Sequence, residues 1–233
     1  MAILYIVATP IGNLEDITLR ALNILKNVDG VICEDTRMTA RLLNKYEIKK
    51  PLISYNAHST EAKSEQLIGL LEEGKNLALV TDAGTPGISD PGCLIVKEVR
   101  DHFKKGEVTV MPIPGASALT AALSASGLPS SDFLFLGFLP HKKGRQTLFK
   151  EIADSERTVV FYESPHRILK TLEALNIHLE AELPSNRKVV VARELTKVFE
   201  EIVSGTPEEV LNYFKGHPEK VRGEFVVMVE SFH

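Results

Sequence analysis

The 233-residue chain has no tryptophan, only two cysteines, few aromatics, and a small net negative charge of −4. Each shortage excludes something. Two cysteines, Cys33 and Cys93, cannot build a disulfide framework and lack metal-ligand spacing, so no metal site is expected and the cytoplasm is the default compartment. Scarce aromatics argue against an extended base-stacking platform. A net charge of −4 excludes a uniformly basic nucleic-acid coat but leaves room for a local basic face. No apolar run, Phe133–Leu139 included, nears the roughly 20 residues that span a bilayer. The start, MAILYIVATP, has no basic segment ahead of its apolar run and reads as mature protein. Neither a dinucleotide-binding G-x-G-x-x-G nor a P-loop occurs.

What is present is an ordinary globular balance, 44 % hydrophobic and 25 % charged residues. Short apolar runs alternate with helix-periodic segments. Strands are expected at 3–8, 31–32, 52–55, 77–80 and 108–112, with helices near 17–28, 36–46, 67–71 (closed by Gly74) and 94–103. This βαβα order predicts an α/β protein with a mainly parallel sheet. Pro112 and Pro114 stiffen the chain around Ile113, and a domain boundary is expected there, giving domains 1–113 and 114–233. The second half repeats the alternation: a small-residue helix at 116–126, strands at 133–138, 158–162, 188–192 and 225–229, and helices near 148–153, 168–175 and 207–214. The polar stretch 141–145 reads as a loop.

Glycine and proline cluster just after the strands, at the edge where open α/β sheets bind ligands. Ala8-Thr9-Pro10-Ile11-Gly12-Asn13 is the first such loop. Thr81–Gly92, reading TDAGTPGISDPG, packs three glycines, two prolines and two aspartates into twelve residues, far more backbone specialisation than a connector needs. Asp82 can accept hydrogen bonds from a ligand amine or from loop amides; Asp82 and Asp90 can equally be turn formers. Pro112–Ser117 crosses the expected boundary, and Gly115-Ala116-Ser117 leaves room for a ligand. Phe161–Arg167 sets Glu163, His166 and Arg167 directly after an apolar strand. Arg193–Lys197, with Glu200 and Glu201, is a mixed-charge segment that reads either as a site or as a solvated helix start.

TPIGN, TDAGTPGISDPG, PGASA, FYESPHR and ARELTK, in that order, resemble the tetrapyrrole-methylase superfamily, and within it the branch that methylates ribosomal RNA. The resemblance spans roughly residues 4–230. It implies two α/β domains of the tetrapyrrole-methylase type with a donor-binding cleft between them, a homodimer, and S-adenosyl-L-methionine as methyl donor. The implied substrate is a cytidine 2′-hydroxyl in the decoding region of bacterial small-subunit ribosomal RNA. The donor contacts it implies are Pro10, Asp82, Ala83, Gly84, Thr85, Ile88, Pro114, Gly115, Ala116, Ser117, Tyr162, Ala192 and Gly223. A poorly nucleophilic ribose hydroxyl calls for a base or an electrostatic helper. Glu163, Arg193 and Lys197 are the catalytic candidates; Glu194 and His166 stay open beside them. For RNA, Arg37, Arg41 and Lys45 recur every fourth residue on a predicted helix, and His141, Lys142, Lys143 and Arg145 form a second basic cluster. Two alternatives stand: a methylase of corrin or siroheme precursors, and a ribosome-associated binding protein without catalysis.

Overall fold

The computed structural model describes residues 1–56, 61–180 and 187–232. The chain divides into two compact units, Met1–Ser117 and Ala118–His233, a break a few residues beyond the one expected after Ile113.

The first unit is a five-stranded sheet: β1 (Ala2–Val7), β2 (Gly30–Cys33), β3 (Leu52–Ser54), β4 (Leu77–Leu79) and β5 (Val108–Ile113), in the order β3-β2-β4-β1-β5. Every pairing is parallel. Both faces are covered, which is why the strands read as continuous apolar runs rather than alternating ones. On one face Val7, Val31, Ala78 and Ile113 pack with Ala21 and Leu25 of α1 (Leu19–Asn27) and Leu42 and Leu43 of α2 (Thr36–Lys45). On the other, Leu4, Ile32 and Leu79 pack with Leu67 and Leu71 of α3 (Glu61–Glu72) and Ile95 and Val99 of α4 (Gly92–His102). Local chemistry sets the helix limits. Thr18 and Asp35 cap α1 and α2 by accepting from Ala21 N at 3.1 Å and Arg37 N at 2.8 Å. Gly74, at φ 81°, closes α3 as expected, with the amides of Gly74 and Lys75 turned back onto Leu71 and Leu70.

The second unit is also built on five strands: β6 (Phe133–Phe138), β7 (Thr158–Glu163), β8 (Val189–Arg193), β9 (Glu201–Gly205) and β10 (Phe225–Val229), ordered β6-β7-β10-β8-β9. This sheet is mixed. Only β6 and β7 pair in parallel; β10 runs antiparallel to both β7 and β8, and β9 antiparallel to β8. The helix α5 (Ala118–Ser126) covers one face over Val160, Val190, Ala192 and Val226. The helices α6 (Arg145–Ala153), α7 (Ile168–Glu180) and α8 (Pro207–Gly216) cover the other over Phe161, Val191, Phe225 and Val227. A full capping box of Thr206 and Glu209, with Pro207 leading, starts α8.

Two expectations need correction. The mixed-charge segment after β8 does not open a helix; it is a tight turn with Glu194 and Thr196 at positive φ (51° and 67°), followed by the edge strand β9. Arg145 is not a loop residue. It is the first residue of α6, behind Gly144 in the left-handed region (φ 80°). Among the described residues, no helix is long and apolar enough to cross a membrane.

Candidate functional site

In the first unit, parallel pairing brings the carboxyl ends of the adjacent strands β4, β1 and β5 to one rim, and with them three of the loops singled out above. They are joined, not merely close. Thr9 N donates to Gly84 O at 2.9 Å and Gly84 N to Thr9 O at 3.0 Å. The Thr9 hydroxyl donates to Thr81 O at 2.9 Å. The Thr85 hydroxyl donates to Ala116 O at 3.2 Å, tying the loop after β4 to the one after β5. Ala8 N reaches Ile113 O at 3.3 Å. Gly84 at φ 87° and Gly87 at φ 85° adopt backbone that other residues resist. Gly115 fits for a different reason: a Cβ there would lie a tight 3.0 Å from the Ala8 methyl.

Asp90 is the turn former of the rim. Its Oδ1 accepts from Gly87 N at 2.8 Å and Gly92 N at 2.6 Å. Asp82 is different. It is exposed, and its Oδ1 accepts from Asp35 N at 3.3 Å, where α2 begins. Partial burial, then the negative charges of Asp35 and Asp90, push the Asp82 pKa above the usual aspartate range, while the Asp35 amide and Arg37 pull the other way. Asp35 itself is held down to about 2, chiefly by hydrogen bonds from Arg37. Ala83, Ile88, Pro114 and Gly115 are exposed on the same rim, whereas Pro10 is buried beneath it. Rigid backbone, small side chains and one exposed carboxylate suit a polar ligand carrying an ammonium group.

In the second unit, strand alternation separates the candidates. Tyr162 and Ala192 both register with Val226, and all three face α5. Glu163 and Arg193 both register with Phe225, so they point to the opposite face, about 10 Å apart across β10. Residues implied to touch the donor and two of the three catalytic candidates therefore lie on opposite sides of one sheet.

Tyr162 is half-buried, with the rings of Phe135 and Phe138 centred 5.1 and 5.4 Å away. Burial raises its pKa, with a backbone hydrogen bond at Leu119 opposing, so it stays a neutral phenol. Glu163 is buried and engaged by its neighbours, which corrects its reading as a base: its carboxylate presents no surface to an acceptor hydroxyl. Arg193 is buried too, giving its Nε to Arg222 O at 3.1 Å and Nη1 to Phe199 O at 2.9 Å, beside an open hollow of about 470 Å³ lined in part by Phe199, Glu201 and Lys220. It braces two loops. Lys197 is accessible, and its Nζ bridges Glu194 at 2.8 Å and Glu224 at 2.9 Å. Burial works to lower its pKa, but those two carboxylates outweigh burial and raise it, so Lys197 remains a cation. Gly223, at φ 89°, faces Glu194: a Cβ would meet the Glu194 carboxyl carbon at 2.3 Å.

Of the basic residues, Arg41, Lys142 and Lys143 are exposed, as is Arg37 although it pairs with Asp35 at 2.7 Å. Arg145 is corrected: its side chain is only 14 % exposed and turned inward to Glu163 and Thr171, so it does not offer its charge to RNA. Among the described residues, no three His, Cys, Asp or Glu side chains group to hold a metal ion. Sequence reasoning missed Thr9, whose hydroxyl and amide join two loops; a threonine directly after an apolar strand was its only signal.

The paired α/β units and the Gly/Pro rim define a class. Residues 3–211 match the model of the Tetrapyrrole (Corrin/Porphyrin) Methylases, and the chain belongs to that family. Within it, the chain is 46 % identical over 232 residues to ribosomal RNA small subunit methyltransferase I of Bacillus subtilis, covering 99 % of this chain and 76 % of that protein. The Thermotoga maritima protein of the same name is 45 % identical, with 99 % of each covered. Among solved structures, uroporphyrin-III C-methyltransferase of Thermus thermophilus complexed with S-adenosyl homocysteine has the same fold (TM-score 0.63, 19 % identity, covering 97 % of this chain and 96 % of that one).

Proposed function

We propose that this chain moves a methyl group from S-adenosyl-L-methionine to the 2′-hydroxyl of a cytidine in the decoding region of small-subunit ribosomal RNA, acting as a homodimer in the cytoplasm. The observation that carries the reading is the single rim made from three strand-end loops by Thr9, Gly84 and Thr85. Identity near one half, over nearly all of this chain, to proteins named as ribosomal RNA methyltransferases supports the substrate class.

The donor, when bound, supplies an electrophilic methyl on a sulfonium. Residues Asp82 to Ile88, with Pro10 and Pro114 to Ser117, would hold it on the rim of the first unit. Asp82 would accept from the donor's ammonium group, whose positive charge would oppose the burial and the nearby Asp35 and Asp90 charges that raise its pKa. Backbone carbonyls suit the sulfonium better than a carboxylate would. A full anion there would stabilise the charged ground state more than the transition state, in which that charge is fading. Positioning supplies the rate, and a loop fixed by cross-strand hydrogen bonds and left-handed glycines keeps position. Lys197, a cation whose pKa Glu194 and Glu224 raise, would stabilise developing negative charge or hold a phosphate. Lys142 and Lys143, with Arg37 and Arg41, grip backbone phosphates, positioning the RNA without reading its sequence.

The test is transfer of labelled methyl from S-adenosylmethionine to small ribosomal subunits, followed by nucleoside digestion. Label in a 2′-O-methylcytidine is expected. Label only on free tetrapyrrole precursors, or none on either, overturns the reading.

A further inference from the structure

A buried ion cluster in the second unit is not used by the chemistry above. Glu163, at the end of β7, has no side-chain surface exposed, and four groups surround its carboxylate. Oε1 accepts from Ser164 N at 2.8 Å and lies 2.8 Å from Arg167 Nε. Oε2 accepts from the Thr171 hydroxyl at 2.6 Å and faces Arg145 Nη2 at 3.4 Å. Arg145 Nη2 also donates to Thr171 Oγ1 at 2.7 Å, closing the cluster.

Each arginine then turns a second nitrogen outward to a main-chain carbonyl. Arg167 Nη1 donates to Leu139 O at 2.8 Å, and Arg145 Nη1 to Pro140 O at 3.1 Å. Leu139 and Pro140 are the last two residues before the exposed His141-Lys142-Lys143-Gly144 loop, and Arg145 is the first residue after it. Both ends of the basic loop are thus fastened to one carboxylate.

A buried ion pair is a poor device for stability alone, because desolvating its charges offsets their attraction; its better-attested use is to fix one geometry. A loop that must order itself on binding loses affinity to that ordering, and a pre-set loop does not. We infer that Glu163 is a positioning residue for RNA: through Arg145 and Arg167 it clamps the carbonyls of Leu139 and Pro140 and pre-sets the Lys142–Lys143 loop to grip phosphates. The inference rests on the RNA reading of that loop given above.

The experiment is Glu163→Gln in the full chain, which keeps the shape and removes the charge. KM for small subunits should rise about tenfold, with kcat at saturating RNA and the Kd for S-adenosylmethionine within about twofold of the parent. Trypsin should cut after Lys142 and Lys143 about tenfold faster, because the loosened loop opens more often. Combining Glu163→Gln with Lys142→Glu and Lys143→Glu should cost less than the product of the separate losses, since both act through one loop. Unchanged KM and unchanged cleavage overturn the inference, as does a fall in kcat alone, which would return Glu163 to the reaction itself. Should Glu163→Gln fail to fold, Thr171→Val removes one carboxylate partner while leaving the charges, and the same two readouts must move in the same direction or the inference fails. If Lys142→Glu with Lys143→Glu leaves RNA affinity intact, the RNA reading of the loop falls instead, whatever Glu163→Gln does.

Discussion

Thr9 and Gly84, on loops after different strands, exchange a reciprocal pair of backbone hydrogen bonds at 2.9 and 3.0 Å. The exchange turns two turns into one short antiparallel bridge, and Gly84 can make it only because φ 87° costs glycine nothing. Whatever binds at this rim meets a preformed surface.

Gly84→Val should therefore weaken S-adenosylmethionine binding by more than about tenfold while costing about 1–3 kcal/mol of stability, the usual penalty for left-handed backbone in a side-chain-bearing residue. Its Cβ would meet Ile11 and Ala116 O at ordinary contact distances of 3.5 and 3.8 Å, so the backbone conformation carries the penalty. Thr85→Val, which loses only the bond to Ala116 O, should cost about 1 kcal/mol and a smaller share of affinity. Calorimetric titration beside thermal melting separates the two effects; normal donor affinity in Gly84→Val refutes the rim as donor site.

Asp82 should make donor binding pH-dependent. Its pKa is raised by burial and by Asp35 and Asp90, so protonation begins at a higher pH than for an ordinary aspartate. Donor affinity should fall as the solution is acidified through that raised pKa, and Asp82→Asn should be weak and flat across the same range. For folding the sign is the reverse. A carboxyl whose pKa rises on folding favours the folded state when protonated, so without donor this contribution is lost as pH rises through the folded value. Titrations over the mildly acidic range, with and without the substitution, decide it.

Gly223→Ala should destabilise the second unit by about 1–3 kcal/mol, from φ 89° and from the 2.3 Å approach to the Glu194 carboxyl carbon. Adding Glu194→Gly removes the obstructing side chain and should recover part of that loss. Urea unfolding of both single variants and the double gives the coupling; strict additivity would show that the two positions do not compete for space.

Lys142→Glu with Lys143→Glu should weaken binding to small subunits and flatten its salt dependence, by a slope of up to about 0.7 per lost phosphate contact on single-stranded RNA, with donor affinity unchanged. Binding measured over a salt series would expose a purely structural role by an unaltered slope.

The parallel first sheet was legible because its strands are apolar runs, and Gly and Pro follow β1, β4 and β5. β9 was not. It is a short edge strand of alternating exposure, Glu201 to Gly205, held by pairing with β8, and pairing between distant segments leaves no local mark. The rim loops were legible one by one, but their joining by Thr9, Gly84 and Thr85 is a long-range fact. One correction was within reach of the sequence. Tyr162-Glu163 and Ala192-Arg193 are consecutive residues on strands, and neighbours on a strand point to opposite faces. Tyr162 and Glu163 could never have shared a pocket wall. Arg145 was hidden for the opposite reason: a basic residue beside two exposed lysines reads as surface until its carboxylate partner, eighteen positions away, is known.

The closeness of Gly115 to the Ala8 methyl binds the evolutionary fates of those two positions. A side chain at Gly115 would need the Ala8 methyl to give by a few tenths of an ångström. Across relatives that keep this rim, both sites should stay small, or a larger residue at one should appear only where the other has shrunk.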